Sequence, residues 1–222
     1  ANIMLNELDH ELERRGHRFV RYADDMVIFC GSKASAEQTL EHIVPFIEKR
    51  LFLKVNREKT VVAYAGKIKF LGYGFYKGRK GFALRVHAKS KAKMKARVRE
   101  LTSRRTVNDY EKWKADLKRY VVGWVNYYKL ADMGAYLQSI DEWMRRRIRM
   151  VFWKKWKIVR TRWRNLLKLG ISNRNAGILA NSRKGYWRIA SSPILQTALS
   201  SQRLEKAGFQ FFYSYYRKSV AA

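Results

Sequence analysis

Two adjacent aspartates, Asp24 and Asp25, sit between short apolar runs in RYADDMVIFC, residues 21–30. Acids are scarce in this chain: 18 Asp and Glu stand against 48 Lys and Arg, a formal charge of +30. So tight an acidic pair needs a reason, and a bound cation supplies one. Paired carboxylates raise local negative charge and offer oxygen donors to a hard divalent ion such as Mg²⁺. Two such ions clamped together activate an attacking 3′ oxygen and stabilise a leaving pyrophosphate, which is the chemistry of phosphoryl transfer. The competing reading is an ordinary polar turn, since Asp is common in turns.

A carboxylate does such work only if rigid elements aim it. HRFVRYADDMVIFCG reads as a β-hairpin, with strands at Phe19–Tyr22 and Met26–Cys30, a turn at Ala23–Asp25 and Gly31 closing the second strand. Before it, ANIMLNELDHELERRG has Ile3, Leu5, Leu8 and Leu12 at helical spacing and Gly16 as its stop. It lacks a capping residue, so the sequence reads as starting inside an element. After the hairpin, SAEQTLEHIVPFIEKRL predicts a helix with a Ser35/Gln38 capping box and an apolar stripe of Leu40, Ile43, Val44, Ile47 and Leu51. Pro45 should kink it. LFLKV, TVVAY, KIKFLGYGF and GFALRV follow as strand-like runs punctuated by glycine.

Charge divides the chain. Residues 1–50 carry 7 basic and 9 acidic side chains, residues 51–86 carry 9 and 1, and residues 87–222 carry 32 and 8. From about residue 88 the apolar period also becomes helical. An α+β segment at 1–86 followed by an all-helical segment at 87–222 is the expected organisation. The basic excess fits a polyanionic partner, because cations that neutralise phosphates release counterions. The single cysteine, Cys30, excludes an internal disulfide and a cysteine-built zinc site, and suits a reducing compartment. No secretion signal or run of membrane-span length is visible, so no membrane partner is expected and the compartment reads as cytoplasmic of bacterial type or organellar. Nothing sets an oligomeric state.

Within the helical half, Arg145 to Lys168 contains eleven Lys or Arg and no acid. Trp143, Met144, Ile148, Val151, Phe152 and Trp156 share a stripe that reads as core. Arg145, Arg146, Arg149, Lys154, Lys157 and Arg160 fall mainly off it and read as an RNA-facing surface, with membrane surface or an acidic protein as rival partners. Tyr120, Trp124, Tyr127, Tyr128 and Ala131 also recur at helical spacing and read as core. NSRKGYWR, residues 181–188, mixes Arg183, Lys184 and Arg188 with Tyr186 and Trp187 around a glycine. It is either an RNA-contacting loop or an irregular connection with one buried Trp.

YADD between apolar strands resembles the catalytic hairpin of reverse transcriptases. LKVNREKTVV resembles the block that follows it, with Asn56, Glu58 and Lys59 at matching positions, and FLGYGF (70–75) resembles the primer-grip turn. YVVGWVNYYKLADM, IDEWMRRRIRMVFWKKWK and the segment from NSRKGYWR to EKAGF resemble the thumb and maturase (X) region and the C-terminal segment of group II intron-encoded reverse transcriptases. The blocks occur in the family's order across nearly the whole chain. The resemblance implies the C-terminal part of a polymerase palm followed by a helical thumb and maturase region. It implies Mg²⁺ at Asp24 and Asp25, Asp24 being the better ligand. Tyr22, Ala23 and Lys59 would lie near the incoming dNTP, Leu71, Gly72, Tyr73 and Gly74 would hold the primer, and the partners would be intron RNA and an RNA–DNA duplex. The expected function is RNA-directed DNA synthesis with assistance to splicing.

The family also needs a further aspartate on an earlier strand, and fingers that close over the nucleotide. Neither is visible, and the chain by itself is expected to be inactive as a polymerase. Asp9, the only Asp upstream of the hairpin, lies in a Leu-patterned helix beside Glu7, Glu11 and Glu13 and reads as part of a solvated face. The rival is a non-catalytic RNA-binding splicing factor or RNA chaperone. A third class, another reverse transcriptase such as a retron enzyme, leaves GWVNYY and the C-terminal segment unexplained.

Overall fold

The computed structural model describes residues 2–78, 81–105 and 107–221. The chain divides after His87 into two compact units. In the first, helix α1 (Asn2–Arg14) ends at Gly16, whose φ of +72 suits glycine, and Leu12 O accepts from His17 N at 2.9 Å. Strands β1 (Arg18–Tyr22) and β2 (Asp25–Phe29) pair antiparallel, with Phe19 opposite Ile28 and Tyr22 opposite Asp25. Helix α2 (Lys33–Pro45) follows. Leu8, Leu12, Ile43 and Leu51 form the buried centre of this part, with Leu5, Phe19, Met26 and Ile28 packed against it. One face of the hairpin is thereby anchored on α1 and α2.

Three expectations are corrected here. The α2 cap is Ser32, whose Oγ accepts from Ser35 N at 3.1 Å, so Ser35 lies inside the helix. Pro45 ends α2, and a π-helical turn runs on over Phe46–Arg50. LFLKV and TVVAY are not strands: no ladder pairs residues 51–55 or 60–64, and Phe52, Val61 and Tyr64 are exposed. β-branched and aromatic residues favour a strand only when a neighbour offers its edge. Such a neighbour exists further on, where β3 (Lys69–Phe70), β4 (Tyr73–Gly78) and β5 (Gly81–Val86) form an antiparallel sheet in that order.

The second unit is helical: α3 (Ala88–Leu101), α4 (Tyr110–Tyr128), α5 (Gly134–Lys155), α6 (Val159–Lys168), α7 (Asn173–Ala180), α8 (Tyr186–Ile189), α9 (Pro193–Ala198), α10 (Ser201–Lys206) and α11 (Phe212–Ala221). Asp109 caps α4, accepting from Glu111 N at 2.9 Å and Lys112 N at 3.2 Å. Ser172, Ser192 and Ser200 cap α7, α9 and α10. The core joins Trp113, Leu117, Val121, Trp124 and Val125 of α4 to Leu137, Ile140, Met144, Ile148 and Val151 of α5. Of the aromatic pattern read on α4, Trp124 and Ala131 are buried, but Tyr127 is exposed. The long helical run from Tyr136 breaks at Trp156–Ile158, where Ile158 turns extended. The chain then doubles back, and the Arg162 guanidinium lies over the Trp153 ring at 4.8 Å.

Asp141 on α5 is buried, 3% exposed, and takes hydrogen bonds from Phe212 N at 2.9 Å and Tyr213 N at 2.8 Å. It therefore caps α11 from another helix. Burial pushes its carboxyl up to about 6, against the pull of the Tyr213 and Phe212 amides.

Candidate active site and nucleic-acid interface

The first candidate site is the tip of the β1–β2 hairpin. The connection is two residues long, Ala23 and Asp24, while Asp25 already belongs to β2. Ala23 has φ +54 and Asp24 does not share the positive φ, the pattern of a II′-type turn. Tyr22, Ala23, Asp24 and Asp25 are all exposed, Tyr22 at 65%. No described side chain or amide hydrogen-bonds or ion-pairs with either carboxylate. Their oxygens are thus available to a cation.

Beneath the tip lies Arg21. Its Nε donates to Asp9 Oδ1 at 2.7 Å, its Nη2 donates to Asp9 Oδ2, and its Nη1 donates to Ala23 O at 3.0 Å. The Asp9 carboxylate raises the guanidinium above its ordinary range. Asp9 is therefore a half-buried partner of Arg21, which corrects its reading as part of a solvated face. Nothing in Arg21 alone announces this, although an Asp and an Arg facing one another from a helix and the next strand are a pair the periodicities permit.

Lys59 sits in a tight turn built on Asn56. Asn56 Oδ1 accepts from Lys59 N at 3.2 Å, and Asn56 O accepts from Thr60 N at 3.0 Å. The Lys59 side chain is exposed. Leu71 and Gly72 connect β3 to β4 with φ +49 and +82, the double positive φ of a I′ turn, and Phe70 pairs with Tyr73. His87 N donates to Gly72 O at 3.1 Å. Glycine is needed at 72 for its φ. At Gly74 an added Cβ would meet Arg85 and His87 side-chain atoms at 3.6–3.7 Å, ordinary contact, so the backbone there does not demand glycine.

The basic half sorts into two kinds of cation. Some arginines turn to helix ends inside the fold, where carbonyls lack partners. Arg149, 7% exposed, donates to Leu199 O at 2.9 Å beyond α9. This removes it from the expected RNA-facing set. Arg146 donates to Trp187 O through Nε at 3.1 Å and Nη2 at 2.9 Å, and lies over the Trp187 ring at 3.9 Å. Arg145 is half-buried, 5.5 Å over Phe211. Arg147, passed over in the sequence, donates to Arg99 O at 3.0 Å, and burial followed by neighbouring Arg99 pushes its guanidinium down. The other cations stay outside: Lys154, Lys157, Arg160, Arg183, Lys184 and Arg188 are exposed.

Trp187 is 38% exposed, so residues 181–188 do not simply bury a tryptophan. Arg104 and Lys154 stand over the Tyr186 ring at 4.9 and 5.2 Å. Cations and rings thus share one surface around α8. Arg104 had no sequence signal beyond its charge.

Asp24 and Asp25 fit Mg²⁺ by donor type, since that ion is commonly held by one or two carboxylates, with waters and substrate phosphates completing the shell. Among the described residues there is no cluster of three or more His, Cys, Asp or Glu arranged to hold a metal. No helix among them is long and apolar enough to cross a membrane. Residues 1–75 match the family model for reverse transcriptase (RNA-dependent DNA polymerase). Residues 91–170 match that for the group II intron, maturase-specific domain. No curated protein matches the chain.

Proposed function

Because the chain belongs to the group II intron reverse transcriptases/maturases, we propose that its hairpin tip is the carboxylate centre of an RNA-directed DNA polymerase and that its helical half binds intron RNA and assists splicing. The observation that carries this reading is the exposed, unpartnered Asp24–Asp25 pair, standing on a packed hairpin in a chain of charge +30. Bound at these oxygens, Mg²⁺ would supply charge stabilisation for nucleotidyl transfer. Asp24 and Asp25 hold the ion, Asp24 as the leading ligand. Tyr22 and Ala23 flank the dNTP and the primer end. Lys59, exposed on its turn, neutralises nucleotide phosphate. The 71–74 turn, through Leu71, Gly72, Tyr73 and Gly74, holds the primer backbone. Residues 1–86 act as the end of the palm and 87–222 as thumb and maturase region. There, Lys154, Lys157, Arg160, Arg183, Lys184 and Arg188 meet RNA or RNA–DNA phosphates, with Arg145 and Arg146 at the margin. Such contacts to backbone position the partner without reading its sequence.

A second reading, a non-catalytic RNA-binding splicing factor or RNA chaperone, is favoured by one observation: cations and aromatic rings share a surface around α8, which can bind RNA without any catalysis. One comparison separates the two. RNA-templated primer extension and RNA affinity are measured on wild type and Asp24→Ala, each in a chain completed with fingers and the earlier palm strand. Loss of extension by at least about a thousandfold, as removal of several kcal/mol of charge stabilisation implies, with RNA affinity intact, supports the polymerase. Appreciable residual extension sinks the metal-ligand assignment. A completed wild type that binds RNA without extending a primer leaves the binding module.

A further inference from the structure

Ala23 is an L-residue held at φ +54 in the turn that presents Asp24. Such a conformation costs about 1–2 kcal/mol and persists only where surroundings over-determine it. The surroundings here include the ladder that closes at Tyr22 and Asp25 and, on the turn itself, the Arg21 side chain. Arg21 spends Nε and Nη2 on the two oxygens of Asp9, and Nη1 reaches Ala23 O at 3.0 Å. That carbonyl belongs to the peptide joining Ala23 to Asp24, so holding it fixes the plane from which Asp24 departs. The two bonds to Asp9 keep the guanidinium from rotating away, and Asp9 sits on α1, whose Leu8 and Leu12 are buried in the core.

We infer that Arg21 is a positioning residue for the carboxylate turn, transmitting the fixed position of α1 through Asp9 to the Ala23–Asp24 peptide. This rests on the reading of Asp24 as a metal ligand. Its specific content is that the bond to Ala23 O matters beyond the ion pair that docks the hairpin. An arginine is required because a bidentate pair and a third donor come from one planar group.

The test is the charge swap Asp9→Arg with Arg21→Asp, set beside Arg21→Ala, Arg21→Lys and wild type in the full chain. The swap restores an ion pair between α1 and β1 but puts only acceptor oxygens opposite Ala23 O. Three quantities are read: the thermal midpoint, the Ala23 carbon shifts that report its left-handed backbone, and the Kd for Mn²⁺ from paramagnetic broadening of the hairpin amides. We expect the swap to recover most of the midpoint lost in Arg21→Ala while Ala23 relaxes and Mn²⁺ binds about tenfold more weakly, the scale of one charge-assisted hydrogen bond. Arg21→Lys, which keeps the charge and folds without depending on the swapped geometry, shows the same relaxation. Recovery of both the Ala23 shifts and Mn²⁺ affinity in the swap overturns the inference, as does wild-type behaviour in Arg21→Lys. If wild type itself shows no Mn²⁺ broadening near Asp24 and Asp25, the metal assignment falls, and the Ala23 shifts alone still decide the role of Arg21.

Discussion

At Ala23 the chain accepts a backbone shape that glycine adopts freely. Ala23→Gly relieves the left-handed penalty but adds unfolded-state entropy, so its stability should lie within about 1 kcal/mol of wild type, on the stabilising side. The same change loosens the Ala23–Asp24 peptide, and we expect Mn²⁺ affinity or extension to fall while the urea midpoint holds or rises. A parallel fall in both would point to simple misfolding. The hairpin itself was legible, because a short polar stretch between apolar runs predicts a turn, although the expected turn at Ala23–Asp25 is one residue longer than the connection found, Asp25 belonging to β2. The strain was not, since nothing about an alanine announces its φ. Leu71 repeats the lesson at φ +49, beside a Gly72 whose +82 was foreseeable from residue type.

Helices were read by period, and the period held in part: Leu8 and Leu12 of α1, Trp124 of α4 and Met144, Ile148 and Val151 of α5 are buried, while Ile3 and Tyr127 are exposed. Ends were harder. Ser35 and Ser32 are both plausible caps, and only the chain's direction on leaving β2 picks Ser32. Strand-like composition at 51–55 and 60–64 misled because pairing is a non-local property. The cap on α11 was equally hidden, its acid lying 71 residues before the amide it serves. Yet Asp141 was a signal: it follows Leu137 by four and precedes Met144 by three, on the core side of α5. Removing it strands two buried amides, so Asp141→Ala should cost about 1–3 kcal/mol in urea unfolding at pH 7. In the folded state this group keeps its proton up to about 6, against an ordinary aspartate value of 3.8. Stability from this source is therefore present below pH 4 and lost as pH rises to 6, with no slope beyond. Subtracting the Asp141→Ala pH profile from that of wild type should leave a falling curve confined to that window; a flat difference would refute it. Glu11, held down to about 2 by Arg14 and Arg15, titrates below the window and with opposite sign.

Across the whole chain, +30 is a count, and a count carries no direction. Arg146, Arg147 and Arg149 serve carbonyl oxygens in the helical unit, while Lys157 and Arg160 remain exposed. Sequence gave each the same letter class, because the helix ends that the inward ones meet lie about 40–50 residues away. RNA titrations over a salt series should separate them. Lys157→Ser or Arg160→Ser should each flatten the log K against log salt slope by about 0.7–0.9. Arg149→Leu should leave that slope alone and lower stability by about 1–3 kcal/mol, since a buried carbonyl loses its donor. An altered slope in Arg149→Leu would return it to the interface. The Asp141 cap has one more consequence, in the order of synthesis. Until Phe212 and Tyr213 have left the ribosome, α5 carries a carboxylate that its core cannot accommodate. The helical unit then waits for the 212–213 segment before α5 is sealed, and a nascent chain stalled short of that segment should stay open to proteases along α5.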